Sequence, residues 1–371
     1  MARGGARLAR WPRVRFRRVG VVVTAAALHL AAAARPAAAQ AVITVNDDVN
    51  IRFGALAQFW ADDITDPASS SDTRNLFVRR LRLITGGQVA KGISFFIETD
   101  APNLGRNLVT KNITPSVIVQ DAFASFGAAE ALTIDAGLMF VPFSRNSVQS
   151  AATLLPVDYG AYTFTQSGPT QSSTGRDTGF QARGYVAGKH LEYRIGAFQG
   201  VRDAGSHNGF RYAGRVQLEI FDPEVGFFYT GTYLGKKKVI ALGAAFDRQD
   251  TYRAYDGDAF VDLPLRVGAI TVQVDYNHFD GRTFLAALPE QNGAMVEAGL
   301  FVARARVTPF VQWTNRDLTG TTVSDEHRTS VGAAYWWAGH NASIKAAYTQ
   351  ISPVTTARLR EFTLQLQLFY F

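Results

Sequence analysis

The chain ends Glu361-Phe362-Thr363-Leu364-Gln365-Leu366-Gln367-Leu368-Phe369-Tyr370-Phe371. Phe362, Leu364, Leu366, Leu368 and Tyr370 occupy alternate positions, with Thr363, Gln365 and Gln367 between them. Successive side chains on a β-strand point to opposite faces, so this stretch is a strand with one apolar and one polar face. The same period recurs upstream. Val272, Val274 and Tyr276 alternate with Thr271, Gln273, Asp275 and Asn277, and Leu191, Tyr193, Ile195 and Ala197 with Glu192, Arg194 and Gly196.

Working back along the chain gives seventeen candidate strands. They fall at 50–61, 76–88, 92–100, 116–127, 131–140, 177–187, 190–199, 210–221, 226–234, 238–248, 256–264, 268–279, 293–302, 305–315, 327–337, 341–351 and 358–371. Most have the length, roughly ten residues, that a tilted strand needs to cross a bilayer. Short turns (Ala90-Lys91-Gly92, Gly188-Lys189, Asp222-Pro223-Glu224, Gly339-His340-Asn341) alternate with long polar loops at 61–75, 101–115, 201–209, 280–292 and 316–326. Short turns on one rim and long loops on the other organise outer-membrane barrels, whose strand numbers are even. One candidate is therefore surplus. It is sought in 226–264, where the alternation of connections stops. The expected fold is all-β: a transmembrane antiparallel barrel of sixteen strands. Aromatic residues gathered near strand ends (Phe59-Trp60, Tyr335-Trp336-Trp337, Phe369-Tyr370-Phe371) suit a membrane–water boundary. The competing reading is an aromatic-rich soluble core.

Residues 1–39 read as a cleaved signal peptide. Seven arginines between Arg3 and Arg18 precede an apolar run at 19–34, and Ala37 and Ala39 supply the small residues of a cleavage site. The leader holds eight arginines and no acid, out of 38 basic and 31 acidic residues in the whole chain, so the remainder carries a net charge of −1. Global basicity is thus no argument for a nucleic-acid partner. The absence of cysteine excludes thiolate metal sites and cysteine nucleophiles. His190, His207, His278, His327 and His340 fall in no catalytic or metal-binding spacing, so neither an enzyme nor a cofactor nor a metal is expected.

Several segments carry a family resemblance. Phe77-Val78-Arg79-Arg80-Leu81-Arg82-Leu83 is followed by Gly86-Gly87, and then come Asp121-Ala122-Phe123, Gly137 with Pro142-Phe143-Ser144, and Arg176-Asp177-Thr178-Gly179 with the stretch 193–200. Ala213-Gly214-Arg215-Val216 and the hairpin 332–341 continue the series. In this order they resemble the phosphate-selective porin O/P family across most of the chain after the leader. The resemblance implies a sixteen-stranded, homotrimeric porin of the bacterial outer membrane that passes phosphate or other small solutes.

A pore filters by width and by rings of charge, and arginine favours anions. Mid-strand arginine facing lipid costs about 2–4 kcal/mol, so such residues should point inward. Arg80, Arg82, Arg183, Arg215, Arg304 and Arg306 are the expected pore-lining, anion-selecting residues, although strict alternation would put Val78 and Ile84 on the face of Arg80 and Arg82. With acids also placed in strands, the expected preference is a mild one for anions such as phosphate and other oxyanions. The longest connection, 141–176, is expected to fold inward as a constriction loop carrying Arg145, Asp158 and Arg176. A surface loop is the alternative. Lys236-Lys237-Lys238 is read as a turn, with outer-membrane lipid and lipopolysaccharide phosphates as possible contacts. Tyr370 and Phe371 are expected to carry the membrane-insertion signal; Tyr370 is in phase with the apolar face, whereas Phe371 is in phase with Gln365 and Gln367. The alternative function is a non-conducting structural or adhesive barrel.

Overall fold

A computed structural model describes residues 41–67, 71–107, 111–114, 116–320, 325–353 and 358–371. The expected signal peptide lies outside the described residues. The strands are β1 (Ala41–Asn46), β2 (Val49–Asp66), β3 (Ser71–Ala90), β4 (Ile93–Asp100), β5 (Ile118–Ala129), β6 (Leu132–Phe140), β7 (Arg176–Val186), β8 (Leu191–Phe198) and β9 (Arg211–Glu219). They continue with β10 (Val239–Gln249), β11 (Tyr252–Leu265), β12 (Gly268–Asp280), β13 (Gln291–Val302), β14 (Val307–Leu318), β15 (Glu326–Tyr335), β16 (Trp337–His340), β17 (Ala342–Pro353) and β18 (Leu359–Tyr370). One short helix, α1 (Arg145–Val148), lies between β6 and β7.

Sixteen of these strands form the wall. Each pairs antiparallel with its neighbour, and β18 closes on β2 from Tyr370 opposite Ala55 to Arg360 opposite Thr65. Closure leaves the wall without an edge, which a sheet in hydrocarbon requires. β1 lies against the start of β2, with Ala41 opposite Phe53, and β16 is a four-residue strand in the connection to β17.

The alternation is inside-out relative to a soluble protein. Leu83, Phe180, Ile195, Tyr276 and Val331 lie exposed on the outer face. Arg82, Gln181, Arg194 and Asn277 on the same strands are buried on the inner face. An aromatic-rich soluble core would reverse this pattern.

Sixteen of the seventeen candidate strands are wall strands. The surplus one is 226–234. The reading of Asp222-Pro223-Glu224 as a short turn fails for the same reason: it begins a connection spanning 220–238, on the rim that otherwise carries short turns. The segment is rich in strand formers, but Gly226 (φ +138°) and Gly235 (φ +78°) bend the chain at both ends. Its backbone is satisfied by other partners. Tyr229 N–H donates to Val148 O (3.2 Å), Ser150 N–H donates to Tyr229 O (3.0 Å), and Arg194 donates to Phe227 O (2.8 Å). Conversely, β10 and β11 meet in a tight turn at Asp250-Thr251 on the long-loop rim. These two exceptions explain the broken alternation in 226–264. The loop expected at 61–75 is shorter than the sequence suggested, because β2 runs to Asp66 and β3 starts at Ser71.

Val274 sits at the centre of β12 on the outer face. Val274→Arg is expected to destabilise the barrel by about 2–4 kcal/mol, measured by denaturant unfolding in lipid vesicles. Unchanged stability would contradict a lipid-facing Val274.

Candidate functional site

The bore of a sixteen-stranded barrel is wider than its wall side chains can fill. Two connections enter it from opposite rims, 141–175 from the long-loop rim and 220–238 from the short-turn rim. They meet along the Tyr229 hydrogen bonds to Val148 and Ser150 and at a salt bridge. Arg145 in α1 donates Nη1 and Nη2 to the two Glu224 carboxylate oxygens at 2.6 and 2.8 Å. Ser144 caps α1, its hydroxyl accepting from Ser147 N–H.

The junction is pinned to the wall. Arg215 on β9 bonds Asp258, lies 3.4 Å from Asp256, and donates to Phe143 O at 3.0 Å. Asp256, Asp258 and Asp275 come close enough to hold a metal ion. Their oxygens already accept from Arg215, Asn277, Arg145 N–H and Asn146 N–H, so the cluster reads as the anchor of α1.

The remaining space lies on the side of β2 to β7 and β14 to β18. Its upper part is a cavity of about 600 Å³ lined by Arg79, Arg80, Arg82, Arg106, Arg176 and Arg328. Asp100, Asp158 and Glu361 are the acids in its lining. Asp62, Glu98 and Asp121 pair with Arg106, Arg82 and Arg176 from outside this lining. All six arginines border the cavity, Arg79, Arg106 and Arg328 with exposed side-chain surface and Arg80, Arg82 and Arg176 nearly buried against their acids.

A β-bulge builds one corner of this cavity. Phe59 pairs with Val78 and Gln58 with Arg80, leaving Arg79 without a cross-strand partner on β2. Such an insertion shifts the phase of the strand by one residue. Arg79 and Arg80 consequently both reach Asp158, at 3.1 and 2.6 Å. Burial pushes the Asp158 carboxyl up, but the two guanidiniums outweigh it and hold the group well below the usual carboxylate range. The bulge also resolves the awkward pattern in the sequence. Val78 lies on the other side of the phase break, and Ile84 is buried lower in the bore.

Below the arginines the space narrows to a cavity of about 80 Å³. It opens again to about 370 Å³ toward the short-turn rim.

Residues 43–226 match the family model of phosphate-selective porin O and P. The chain is an outer-membrane porin, matched to this family. Solved porins share the fold at low identity. OmpF of Salmonella typhi, in a complex with daunomycin, is 14% identical with a TM-score of 0.58, over 88% of this chain and 99% of that one. An anion-selective porin from Comamonas acidovorans is 11% identical with a TM-score of 0.58, over 87% and 100%. A trimer form of OmpT from Vibrio cholerae is 10% identical with a TM-score of 0.52, over 87% and 100%. No curated protein matches the chain in sequence. The protein is thus a passive channel of the bacterial outer membrane, with the short-turn rim toward the periplasm.

Within the porin, Arg80, Arg82 and Arg176 lie together in the upper cavity with Asp158. Arg183 faces the lower cavity, its Nε donating to Asp135 at 2.7 Å. Arg145 and Arg215 point inward but are sealed in the junction and border none of the three cavities. Arg304 and Arg306 do not line the lumen. β13 ends at Val302 and β14 starts at Val307, so both arginines lie in an exposed turn, and the candidate strand at 305–315 began two residues too early. Lys236, Lys237 and Lys238 lie on the periplasmic rim, with Lys237 donating to Pro223 O and Lys238 over the Phe221 ring. That position is remote from lipopolysaccharide in the outer leaflet. Tyr370 faces outward, whereas Phe371 keeps the phase of Gln365 and Gln367 and turns into the bore. Sequence reasoning missed Arg79, Arg106 and Arg328. The first is hidden by the bulge, the second lies in a loop, and Arg328 lies near a strand end.

Removing Arg145 leaves Glu224 buried beside Glu219. Arg145→Ala is expected to cost about 3–5 kcal/mol in vesicle unfolding experiments, and the double variant with Glu224→Ala to recover part of it. A single variant as stable as the parent would refute the junction's role.

Proposed function

We propose that this porin lets small hydrophilic solutes diffuse passively with a mild preference for anions, phosphate and other oxyanions among them, and carries out no chemistry on them. The six arginines around the upper cavity are the observation that carries this reading. Guanidinium groups lining an aqueous cavity attract oxyanions through directed hydrogen bonds as well as charge. The preference is mild because the carboxylates behind the arginines cancel most of the field at a distance. The inward loop 141–175, through Asp158, is the constriction that orients Arg79 and Arg80. We further propose that residues 1–39 are removed on export and that the barrel works as a homotrimer, in keeping with the trimer form of OmpT from Vibrio cholerae.

Purified protein in a planar bilayer is expected to give stepwise conductance and, in a potassium chloride gradient, a reversal potential on the anion side. Absence of conductance would instead indicate a closed structural barrel. Replacing both Arg79 and Arg80 with Ala leaves Asp158 uncompensated and should move the reversal potential toward cation preference. Asp158→Asn should move it the opposite way. If neither variant shifts the potential, the upper cavity does not set selectivity.

A further inference from the structure

The smallest of the three successive spaces is walled largely by phenylalanine, with Glu98, Gln149 and Ser150 also in its lining. Phe96, Phe140, Phe228 and Phe371 line the 80 Å³ cavity, with Arg82 and Arg176 shared between it and the arginine-lined space above. Phe96, Phe228 and Phe371 are shared with the periplasmic cavity below. Each of these shared residues therefore borders two successive spaces, which marks the ring as the throat between them.

Phe228 is the hub of the ring. Its centroid lies 5.3 Å from Phe96, 5.6 Å from Phe140 and 5.1 Å from Phe227. Phe227 in turn stacks on Phe123 at 4.3 Å. Phe96 and Phe371 close the opposite side at 5.7 Å. Phe371 fits there because β2 and β3 present glycine beneath it. A Cβ on Gly54 would lie 2.7 Å from the Phe371 ring, and one on Gly86 would lie 3.2 Å from it. Phe228 itself is not a wall residue. It is delivered by the 220–238 connection, and its backbone is fixed on both sides. Tyr185 Oη accepts from Gly226 N–H at 2.8 Å, Arg194 donates to Phe227 O, and Tyr229 is bonded to the 141–175 loop. The ring is accordingly a fixed aperture rather than a hinged flap.

We propose that Phe228, with Phe96 and Phe371, is the size- and polarity-determining element of the pore, and that it favours small organic anions with an apolar body over bare inorganic oxyanions. An apolar constriction cannot replace the water that a compact ion must shed, whereas an aromatic or aliphatic body loses little on entering it. The upper cavity, where Arg79, Arg106 and Arg328 keep exposed side-chain surface, draws the charged end while the body enters the throat. The proposal rests on the anion-preferring reading above and deepens it.

The test uses the full-length porin in planar bilayers, with chloride, phosphate and benzoate as probes. Phe228→Ala should raise single-channel chloride conductance by about twofold or more, and Phe228→Trp should lower it. The permeability of benzoate relative to phosphate, from bi-ionic reversal potentials, should exceed one in the parent and fall in Phe228→Ala. The anion-over-cation reversal potential should stay unchanged in both variants, because the upper arginines are intact. Conductance and benzoate-to-phosphate ratio both insensitive to Phe228 would overturn the proposal. A parent channel without anion preference would overturn the reading beneath it instead. Folding is checked by heat-modifiable electrophoretic mobility. Should Phe228→Ala not fold, Phe96→Ala on the wall carries the same expectations and the same refutation.

Discussion

Closing sixteen strands into one sheet pairs the backbone of each wall strand with its neighbours and leaves no open edge, and it leaves a bore too wide for wall side chains to fill. Everything functional in this porin follows from how that bore is reduced. The chain does it with two connections from opposite rims, and neither is stable there alone. Their peptide groups would be buried without partners, at a cost comparable to a lost hydrogen bond for each group. Each supplies the other's partners through Tyr229, Val148 and Ser150, and the Arg145–Glu224 pair neutralises the charges they bring in.

That junction is asymmetric. It packs against β8 to β12, where Arg194, Arg215, Arg211 and their acidic partners are almost fully buried. The open cavities lie along the opposite wall. Ion pairs at the junction hold structure, while on the open side Arg79, Arg106 and Arg328 keep part of their side-chain surface exposed and Arg80, Arg82 and Arg176 are buried behind them. The same residue type therefore does two jobs according to which side of the barrel it faces, and inward direction alone does not identify a selectivity residue.

The wall was legible because lipid and water constrain the two faces of every strand at once, so period two runs through residues 271–277 and 362–370 without ambiguity. The interior was less so. The bulge at Arg79 changes which arginines reach the lumen, yet it is a one-residue event that composition does not announce. Residues 226–234 have the makings of a strand, and they do pair, but with a loop more than seventy positions earlier. Local propensity cannot distinguish that partner from a wall neighbour. Arg304 and Arg306 illustrate a different error: both were read as a lumen-facing pair, but β14 begins only at Val307 and they lie in the turn before it. Phe371, by contrast, was readable: its phase with Gln365 and Gln367 already pointed it inward.

Placing charge above and aromatic rings below separates two tasks that one element would perform poorly together. A throat lined with arginine would bind oxyanions tightly and release them slowly, because strong directed contacts in a narrow, poorly solvated space deepen the well that a solute must leave. Here the guanidiniums stand where the bore is wide and their acidic partners are close, so the well is shallow. The aperture itself is mostly apolar, with Glu98, Gln149 and Ser150 beside the two arginines as its polar groups. Capture and sieving are thus carried by different connections, the 141–175 loop through Asp158 and the 220–238 segment through Phe228, and each can change without unbuilding the other's geometry as long as the salt bridge between them is kept.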